Sequence, residues 1–543
     1  MAILSSFNFI FPLLLLFLST QSSPTSISIT DNFTRCLNNH TNPSFPISEQ
    51  LYTPDNSSYP SVLQAYIRNL RFNETTTHKP ILIITATHAS HIQAAIVCAR
   101  KHGLLMKTRS GGHDYEGLSY TSYTNQPFVI VDMFNLRSIH ISMEHETAWV
   151  QSGATLGELY YQIAEKSNTH AFPSGVCPTI GVGGHFSGGG YGNMIRKYGL
   201  SIDNIVDAEL IDANGKLLNR KSMGEDLFWA ITGGGGVSFG VVLSYKIKLV
   251  RVPPVVTVFN IKRVENLSYI AHRWLQVADK LDDKIFLRMT FRVVNNGEKT
   301  IQAGFPSLYL GNSTNLVTLL KKDFPELGLE KSECIEMSWI ESVLFYAGSF
   351  PIGTPITALL NRKPQSLNPF KIKSDYVKTL ISQKDFELIF EKMKELENQQ
   401  LYFNPYGGRM SEISEFSKPF PHRSGNIAKV QYLVNWEELG VEAEIRYLNF
   451  TRVMYDYMTP FVSKNPREAF LNYRDLDIGV NSHGKNACAE GMVYGHKYFR
   501  KSNYNRLTMV KSRVDPENFF RNEQSIPPCS SNDESLFVAH SVI

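Results

Sequence analysis

The stretch CPTIGVGGHFSGGGYGN, residues 177–193, places a cysteine ahead of seven glycines. Two more glycine-rich stretches lie in the same region, RSGGHDYEG at 109–117 and TGGGGVSFG at 232–240. Glycine lets backbone amides approach an anion closely, so these loops suit a phosphate or pyrophosphate. No G-K-[ST] follows them and GVGGHF lacks the third glycine of G-x-G-x-x-G, which argues against a Walker A loop and a Rossmann site. Tight turns between strands are the alternative explanation.

His113 and Cys177 are the nucleophiles that two of these loops present. Taken alone, His113 could be a metal ligand, a catalytic base, a covalent anchor or an ordinary loop residue. An oxidised flavin would give both residues a role, because its 8-methyl group accepts attack by an imidazole and its C6 accepts attack by a thiolate. A core histidine and a third disulfide form the competing interpretation.

Length and composition narrow the class of protein. The chain has 543 residues, 43% of them hydrophobic and 19% charged, which predicts two or three domains. The net charge is +4 without a concentrated Lys/Arg block, which argues against a nucleic-acid surface. No segment after the N-terminus is apolar enough to span a bilayer. We therefore expect a monomer that takes a small-molecule substrate and binds neither nucleic acid nor membrane.

The N-terminus and the sequons predict secretion. Residues 1–22 contain a short apolar run followed by small polar residues, as in a signal peptide. The expected destination is the apoplast and cell wall, or the vacuole. Seven N-x-S/T sequons predict glycans on surface loops, at Asn32, Asn39, Asn56, Asn73, Asn266, Asn312 and Asn449. The six cysteines have neither CxxC nor zinc-finger spacing, so no metal site is expected.

The order of elements predicts two domains. Up to about residue 250, apolar strands such as PILIITAT alternate with helices such as SHIQAAIVCARKHG, closed by Gly103. After VRVPPVV at 250–256, segments such as IFLRMTFRVV and AKVQYLVNW alternate apolar and polar residues. Strands with one apolar face predict an antiparallel sheet backed by helices, and the polar face could line a site. NPYGG at 404–408 predicts a turn that borders this site.

Five motifs together resemble the plant berberine bridge enzyme-like family, within the vanillyl-alcohol-oxidase-type flavoproteins. They are RSGGHDYEGLSY, CPTIGVGGHFSGGGYGNMIRKYGLSIDN, LFWAITGGGGVSFGVV, LNYRDLDIG and DPENFFRNEQSIPP. The resemblance covers nearly the whole mature chain and implies an α+β fold with a two-part FAD-binding domain and a substrate domain. The implied division is an N-terminal segment of the FAD domain (23–75), the FAD-binding domain (76–251), the substrate-binding domain (252–470) and a C-terminal segment returning to the FAD domain (471–543).

The resemblance also implies a bicovalent FAD. His113 would bond the 8α-methyl group and Cys177 would bond C6, while Cys36 and Cys98 would form the family's N-terminal disulfide. Cys334, Cys488 and Cys529 have no implied role. The implied cofactor contacts are Arg109, Ser110, Gly111, Gly112, Asp114, Gly181, Val182, Gly183, Gly184, His185, Tyr191 and Val242. Two covalent tethers would raise the flavin's potential and hold it in a site open to bulky substrates.

Catalytic candidates come from the same motifs. Oxidation of an alcohol needs a base, and an ordinary tyrosine with a pKa near 10 needs a nearby cation to act as one. Tyr115, Tyr191 and Tyr473 lie in matching motifs, and Lys429 shares a polar strand face with Gln431. The Tyr191/Lys429 pair resembles members that oxidise aromatic allylic alcohols, which makes Tyr191 the base and leaves Tyr115 and Tyr473 to hold the substrate.

The resemblance leaves the substrate and the electron acceptor open. The expected reaction is hydride transfer from a phenolic or allylic alcohol to FAD, which O2 or another acceptor reoxidises. Alternatives are a cyclase, diene-forming or pericyclic enzyme on prenylated phenols, a carbohydrate oxidase, and a non-redox protein that keeps flavin as a scaffold. Ile180 is the counterpart of a family residue that lines the oxygen pocket, and its size predicts slow use of O2.

Overall fold

The computed structural model describes residues 28–529 except positions 296, 349 and 365. The expected signal peptide, residues 1–22, lies outside this range. The described chain is an α+β protein, which confirms the predicted fold class. None of its helices in this range combines the length and the apolar character needed to cross a lipid bilayer.

Two main sheets form the part of the chain up to residue 251. Their strands are β1 (Leu51–Tyr52), β2 (Leu82–Thr85), β3 (Leu105–Arg109), β4 (Phe128–Asp132), β5 (Ile139–Ser142), β6 (Thr147–Gln151), β8 (Ile205–Ile211), β9 (Leu217–Asn219) and β10 (Val241–Lys248); β7 (His170–Ala171) and β11 (Val250–Arg251) form a separate pair. The first sheet has the order β1-β2-β4-β3, with β4 parallel to β2 and β3. The second is antiparallel, with the order β5-β6-β10-β8-β9.

Helices surround these sheets. They are α1 (Ile29–His40), α2 (Tyr59–Gln64), α3 (Ala89–His102), α4 (Leu156–Lys166), α5 (Val182–Gly188), α6 (Ile195–Tyr198) and α7 (Arg220–Ile231). α3 ends as predicted at Gly103, which adopts the left-handed conformation (φ 63°) that glycine tolerates best. α4 begins with a capping box between Thr155 and Glu158, which satisfies backbone N–H groups at its first turn.

An eight-stranded antiparallel sheet dominates the second part. Its strands are β12 (Val256–Arg263), β13 (Ile285–Leu287), β14 (Met289–Asn295), β15 (Lys299–Tyr309), β16 (Ile335–Met337), β17 (Phe370–Val377), β18 (Gln400–Pro405) and β19 (Ala428–Asn435). The order is β16-β12-β15-β14-β18-β19-β17, and β13 also pairs with β15. This confirms the predicted antiparallel sheet.

Helices back one face of that sheet. They are α8 (Leu267–Val277), α9 (Ser313–Asp323), α11 (Gln383–Glu395) and α13 (Val441–Tyr457). Two more helices, α10 (Trp339–Ala347) and α12 (Arg409–Glu412), pack in the core that the sheet shares with the first part of the chain. Trp274 of α8 and Phe386 of α11 pack in one core with Phe403 and Val430 of the sheet. Because side chains alternate along a strand, Lys429 and Gln431 face the other way, toward the first part of the chain.

The C-terminal segment returns to the first part. α14 (Ala487–Val514) packs against α7, and Lys511 donates to the Ser238 carbonyl within the third glycine-rich loop. Lys107 of β3 forms a buried ion pair with Glu523, with 3.0 Å between Nζ and Oε2. These contacts fix the glycine loops from the side opposite the large sheet.

The described chain contains two disulfide bonds. The expected Cys36–Cys98 bond joins α1 to α3 and is confirmed. A Cys488–Cys529 bond ties the start of α14 to the last described residue, and it assigns two cysteines that the sequence left open. Cys177 and Cys334 are free in the described residues. Of the seven sequon asparagines, Asn32 is half-buried; the other six, which are Asn39, Asn56, Asn73, Asn266, Asn312 and Asn449, are exposed.

Candidate active site

A cavity of about 650 Å³ lies between the glycine-rich loops and the polar face of the eight-stranded sheet. Most of the residues predicted for the site line it: Ser110, Gly111, Gly112, His113, Asp114, Tyr115, Cys177, Ile180, Gly181, Gly183, Gly184, His185, Tyr191, Val242, Gln431 and Tyr473. They come from both parts of the chain, so the site forms only where the two parts meet.

The first two glycine loops cross each other backbone against backbone. A Cβ on Gly111 would lie 2.3 Å from the amide nitrogen of Gly181, and one on Gly181 would lie 2.1 Å from Ser110 Oγ. Gly112 has a φ of 68°, and a Cβ there would lie 1.9 Å from the Tyr66 carbonyl. No other residue type fits these positions without displacing backbone. The result is a wall rich in main-chain groups, as an elongated anionic cofactor such as FAD requires.

His113 and Cys177 both reach this wall. His113 Nε2 lies 2.9 Å from Thr179 Oγ1, and burial, assisted by Arg68, lowers its pKa to about 3. The imidazole therefore stays neutral and keeps a nitrogen lone pair. The Cys177 thiol is free and exposed on the cavity wall, where partial desolvation by the surrounding protein raises its pKa. One nucleophilic nitrogen and one sulfur on the wall of the same cavity fit a flavin held at two points.

The LNYRD loop is fastened to both glycine loops. Asp114 accepts hydrogen bonds from the backbone N–H groups of Glu116 and Leu118, at 3.0 and 3.2 Å, and from Arg474 Nε at 2.8 Å. The Asn472 amide donates to the Gly184 carbonyl at 3.1 Å and accepts from Gly190 N at 3.1 Å. These bonds fix Tyr473 against the loops that carry His113 and Tyr191.

Lys429 lies just behind the cavity wall. It is fully buried on β19, and its Nζ has no hydrogen-bond partner in the described residues. The ammonium lies 3.4 Å from the ring centroid of Tyr191, 4.0 Å from that of Tyr473 and 4.2 Å from that of Phe470. Burial, assisted by Arg288, lowers the pKa of Lys429 well below its ordinary value. The sequence paired Lys429 with Tyr191, and the structure places it over Tyr473 as well.

The three tyrosines differ in how readily they ionise. Burial raises the pKa of Tyr191 and of Tyr115 well above 10, with Tyr406 adding to the rise for Tyr191 and Tyr473 adding to it for Tyr115. Burial raises the pKa of Tyr473 to about 12, with Arg288 offsetting part of the rise. The rings of Tyr115 and Tyr473 are 5.6 Å apart, and Gln431 lowers the pKa of Tyr115 as a hydrogen-bond partner. The hydroxyl of Tyr191 is buried without a partner in the described chain.

Two of the residues predicted to bind the cofactor lie behind the wall. Arg109 is fully buried, pairs with Asp132 at 2.6 Å and donates to the carbonyls of Val62 and Leu63. Its guanidinium makes these bonds within the protein and thereby supports the RSGGHDYEG loop. Val182 is a core residue at the start of α5. Both support the loops and do not line the cavity, because their side chains point into the protein.

Arg288 and Tyr402 are cavity residues that the sequence did not single out. Arg288 Nε donates to Asn404 Oδ1 at 2.7 Å, and the Tyr402 hydroxyl donates to Gln400 at 2.8 Å. The alternation of IFLRMTFRVV had already placed Arg288 on a polar strand face. The missing information was that this face turns toward the glycine loops.

The comparisons with known proteins agree with this geometry. Residues 80–220 match the family model for an FAD binding domain, and residues 469–527 match the model described as berberine and berberine like. Berberine bridge enzyme-like 8 of Arabidopsis thaliana is 55% identical over 514 residues, which are 93% of this chain and 96% of that protein.

Solved structures give the same result. Berberine bridge enzyme from Eschscholzia californica is 39% identical with a TM-score of 0.85, covering 92% of this chain and 99% of its own. Phl p 4, a grass pollen allergen with glucose dehydrogenase activity, is 43% identical with a TM-score of 0.86 and the same coverage. An isoleucine-to-valine variant of Phl p 4, also 43% identical, is described as a glucose oxidase, with a TM-score of 0.87 and coverage of 92% and 100%.

Proposed function

Because the chain belongs to the berberine bridge enzyme-like family of FAD-dependent oxidoreductases, we propose that it oxidises a phenolic allylic alcohol to the aldehyde. The observation that carries this proposal is Lys429, a buried amine that lies over the rings of Tyr191 and Tyr473 and has no hydrogen-bond partner among the described residues. Burial favours the neutral form of both Lys429 and Tyr191, because it lowers the pKa of the amine and raises that of the phenol. Transfer of the phenol proton to Lys429 would give an ammonium that stabilises the phenolate, which is the form that removes a proton from an alcohol.

We further propose that FAD is held covalently at two points, by His113 and Cys177. The glycine loops would bind the pyrophosphate through main-chain N–H groups. Bound FAD supplies the hydride acceptor. The test is acid precipitation: the yellow pigment should stay with the protein pellet, also in His113→Ala and in Cys177→Ala, and should leave it only in the double variant. Release of pigment from the wild type would contradict covalent attachment of the flavin.

The chain's own residues would orient the alcohol and take its proton. Tyr191, as the phenolate that a protonated Lys429 stabilises, would accept the hydroxyl proton and become a neutral phenol. Tyr115 and Tyr473, whose rings are 5.6 Å apart, hold the aromatic ring of the substrate. Gln431 directs the Tyr115 hydroxyl. The structure also favours a rival base, since the pKa of Tyr473 is raised less than that of Tyr191.

The experiment is anaerobic stopped-flow reduction with a panel of cinnamyl-type alcohols, plain phenols and sugars. Bleaching of the yellow flavin by an allylic alcohol supports the proposal, provided that the rate of bleaching falls roughly 10²–10⁴-fold in Tyr191→Phe. If Tyr473→Phe abolishes bleaching while Tyr191→Phe stays within about threefold of wild type, the two tyrosines exchange roles. A flavin that stays yellow with every compound would favour the scaffold alternative.

A sugar is the second candidate substrate. Phl p 4 has glucose dehydrogenase activity, and in this chain Arg288, Gln431 and Asn435 supply polar groups to the cavity. Aromatic and apolar side chains also line this wall, namely Tyr115, Phe370, Ile372, Tyr402 and Leu433. An aromatic substrate uses these rings, and for that reason we place it first. Glucose reducing the flavin faster than any cinnamyl-type alcohol would reverse the order.

We propose that Ile180 limits reoxidation by O2. Ile180 lines the cavity and follows Cys177 by three residues. In Phl p 4 an isoleucine-to-valine variant is described as a glucose oxidase. Ile180→Val should therefore raise the rate of flavin reoxidation by O2 at least tenfold by opening space. Ile372→Val, which trims the same group from the sheet wall, is the matched control and should leave that rate unchanged.

We also propose that the protein is secreted and glycosylated. Six of the seven sequon asparagines are exposed, as glycan attachment requires. Expression in a plant host, followed by glycosidase treatment and fractionation of the apoplast and the vacuole, tests both points. A single unglycosylated band retained in the cytosol would overturn them.

A further inference from the structure

A proton taken by Tyr191 is released in the interior of the protein. The Tyr191 hydroxyl and Lys429 Nζ are both buried, and neither has a hydrogen-bond partner in the described residues. A buried polar atom without a partner is rare in folded proteins and points to ordered water or to a functional role. The question is which groups connect these two atoms to the surface.

Two further buried tyrosines adjoin this pair. The ring of Tyr406, in the NPYGG turn, stacks on the Tyr191 ring at 6.2 Å. The Tyr406 hydroxyl donates to the Tyr376 hydroxyl at 3.5 Å. Tyr376 of β17 is the cross-strand partner of Lys429 on β19, so both side chains leave the same face of the sheet. The raised pKa of Tyr191 includes a contribution from Tyr406, after the larger effect of burial.

His422 and Glu468 continue the row. The His422 ring stacks on Tyr376 with 4.2 Å between centroids. Its Nε2 lies 3.0 Å from the Tyr498 carbonyl, which can only accept, so Nε2 carries the hydrogen. The neutral ring therefore has its lone pair on Nδ1, which is buried without a hydrogen-bond partner in the described chain and lies 3.7 Å from Glu468 Oε2.

Glu468 is where the row meets the surface. Its Oε2 lies 2.7 Å from Lys378 Nζ and its Oε1 lies 2.7 Å from Arg500 Nε. Those two cations are about one-third and one-quarter exposed, whereas Glu468 itself is buried. Burial alone would raise the pKa of Glu468, but His422, Lys378 and Arg500 together hold it below its ordinary value.

We propose that Tyr406, Tyr376, His422 and Glu468 form a proton exit route, and this proposal rests on the proposed function. In the oxidation the alcohol loses its C–H pair as hydride to the bound flavin, and the O–H electron pair becomes the second C=O bond. The O–H proton passes to the Tyr191/Lys429 pair. Ordered water then carries it across the two places where rings only stack, from Tyr191 to Tyr406 and from Tyr376 to His422 Nδ1. His422 Nδ1 passes the same proton on to Glu468, which releases it at the surface.

The test compares proton release with flavin bleaching in a single anaerobic turnover. A pH-indicator dye in weak buffer reports the released proton while absorbance reports the flavin. In wild type the two signals should run together. In Tyr376→Phe, Tyr406→Phe and Glu468→Gln the rate of proton release should be at least tenfold lower than the rate of bleaching, because these changes slow only the proton transfers that follow hydride transfer. Glu468→Asp should restore part of the lost rate.

The matched control is Glu415→Gln. Glu415 is the other carboxylate partner of Arg500, and no contact places it near His422. This variant should release its proton in step with bleaching. Because the two Tyr→Phe changes remove only a hydroxyl, they keep the test valid if Glu468→Gln destabilises the fold.

A second measurement needs no turnover. A crystal structure of the resting enzyme should show ordered water within hydrogen-bond distance of the Tyr191 hydroxyl, Lys429 Nζ and His422 Nδ1. Proton release that keeps pace with bleaching in both Tyr→Phe variants would overturn the route. Wild-type flavin that no alcohol bleaches would instead overturn the proposed function, so the two failures are distinguishable.

Discussion

Two lysines of the same sheet have opposite surroundings. Lys371 of β17 contacts Glu116 and lies 2.8 Å from Asp475. The amine of Lys429 on β19 instead lies over aromatic rings and has no hydrogen-bond partner among the described residues. Both side chains are almost completely buried. Burial alone lowers the pKa of either lysine, but the two carboxylates raise that of Lys371 above its ordinary value. A buried lysine with partners fixes structure, and one without partners is available for chemistry.

The position of each lysine supports this distinction. The Lys371 cluster joins the loop carrying Tyr115 to the loop carrying Tyr473, since Glu116 and Asp475 are near neighbours of those tyrosines in the chain. Lys373 adds a second bond to Asp475 at 2.5 Å. The cluster therefore holds Tyr115 and Tyr473 from behind, whereas Lys429 contacts the rings of Tyr473 and Tyr191 directly.

The largest expected effect is on catalysis. Lys429→Met keeps the volume but removes the amine that could take up the Tyr191 proton and stabilise the phenolate, so substrate-driven flavin reduction should fall roughly 10²–10⁴-fold. Stopped-flow reduction measures this, and the visible spectrum of the bound flavin shows that the cofactor is still present. A loss below about threefold would show that Lys429 is a passive core residue.

Lys371→Met should act on stability instead. It leaves Glu116 and Asp475 buried with less compensation, which costs about 3–5 kcal/mol in the free energy of unfolding. Urea unfolding measures the loss. Adding Glu116→Gln to Lys371→Met removes one of the uncompensated charges and should recover part of it. Equal stability of wild type and Lys371→Met would break the contrast between the two lysines.

The effect of pH sharpens the contrast. The pKa of Lys429 is lower in the folded protein than in the unfolded chain, so the fold disfavours the protonated amine. Below the folded pKa the amine is protonated in both states, and the full loss in the free energy of unfolding is present there. The cost disappears as pH rises toward the unfolded value near 10.4. Lys429→Met should therefore gain about 1–4 kcal/mol over wild type at low pH, and less as pH rises.

Thermal unfolding over a series of pH values tests this expectation. Lys384→Met, at an exposed position on α11, is the control and should differ from wild type by a constant amount. A gain in Lys429→Met that grows with rising pH would mean that the amine is charged and paired in the folded protein.

The sequence could predict one lysine's setting better than the other's. The alternation in AKVQYLVNW correctly placed Lys429 and Gln431 on one polar strand face, but it did not predict that this face turns toward the glycine loops. The partners of Lys371 were out of reach, since Glu116 and Asp475 are 255 and 104 residues away in the chain. Periodicity reports which face a side chain takes, but not which distant residue meets it.

Other parts of the site show the same limit. The family resemblance implies that Arg109 contacts the cofactor, yet its guanidinium turns inward to Asp132. The Cys488–Cys529 bond could not be deduced because spacing does not determine pairing. The proton route through Tyr406 and His422 depends on two turns that are separated in sequence, and the sequence pattern predicted only the NPYGG turn.

The smallest expected effect lies at the outer edge of the Lys371 cluster. Arg452 pairs with Asp477 at 2.7 Å, but half of its side chain is exposed, so water and salt screen the pair. Asp477 also lies 3.0 Å from Lys373, which keeps it compensated when Arg452 is removed. Arg452→Met should therefore cost at most about 1 kcal/mol in the free energy of unfolding and leave flavin reduction unchanged. Urea unfolding at low and high salt measures this cost, which should shrink as salt rises. A cost near that of Lys371→Met would mean that the cluster is stabilised from its exposed end, and burial would then no longer explain the difference between the two lysines.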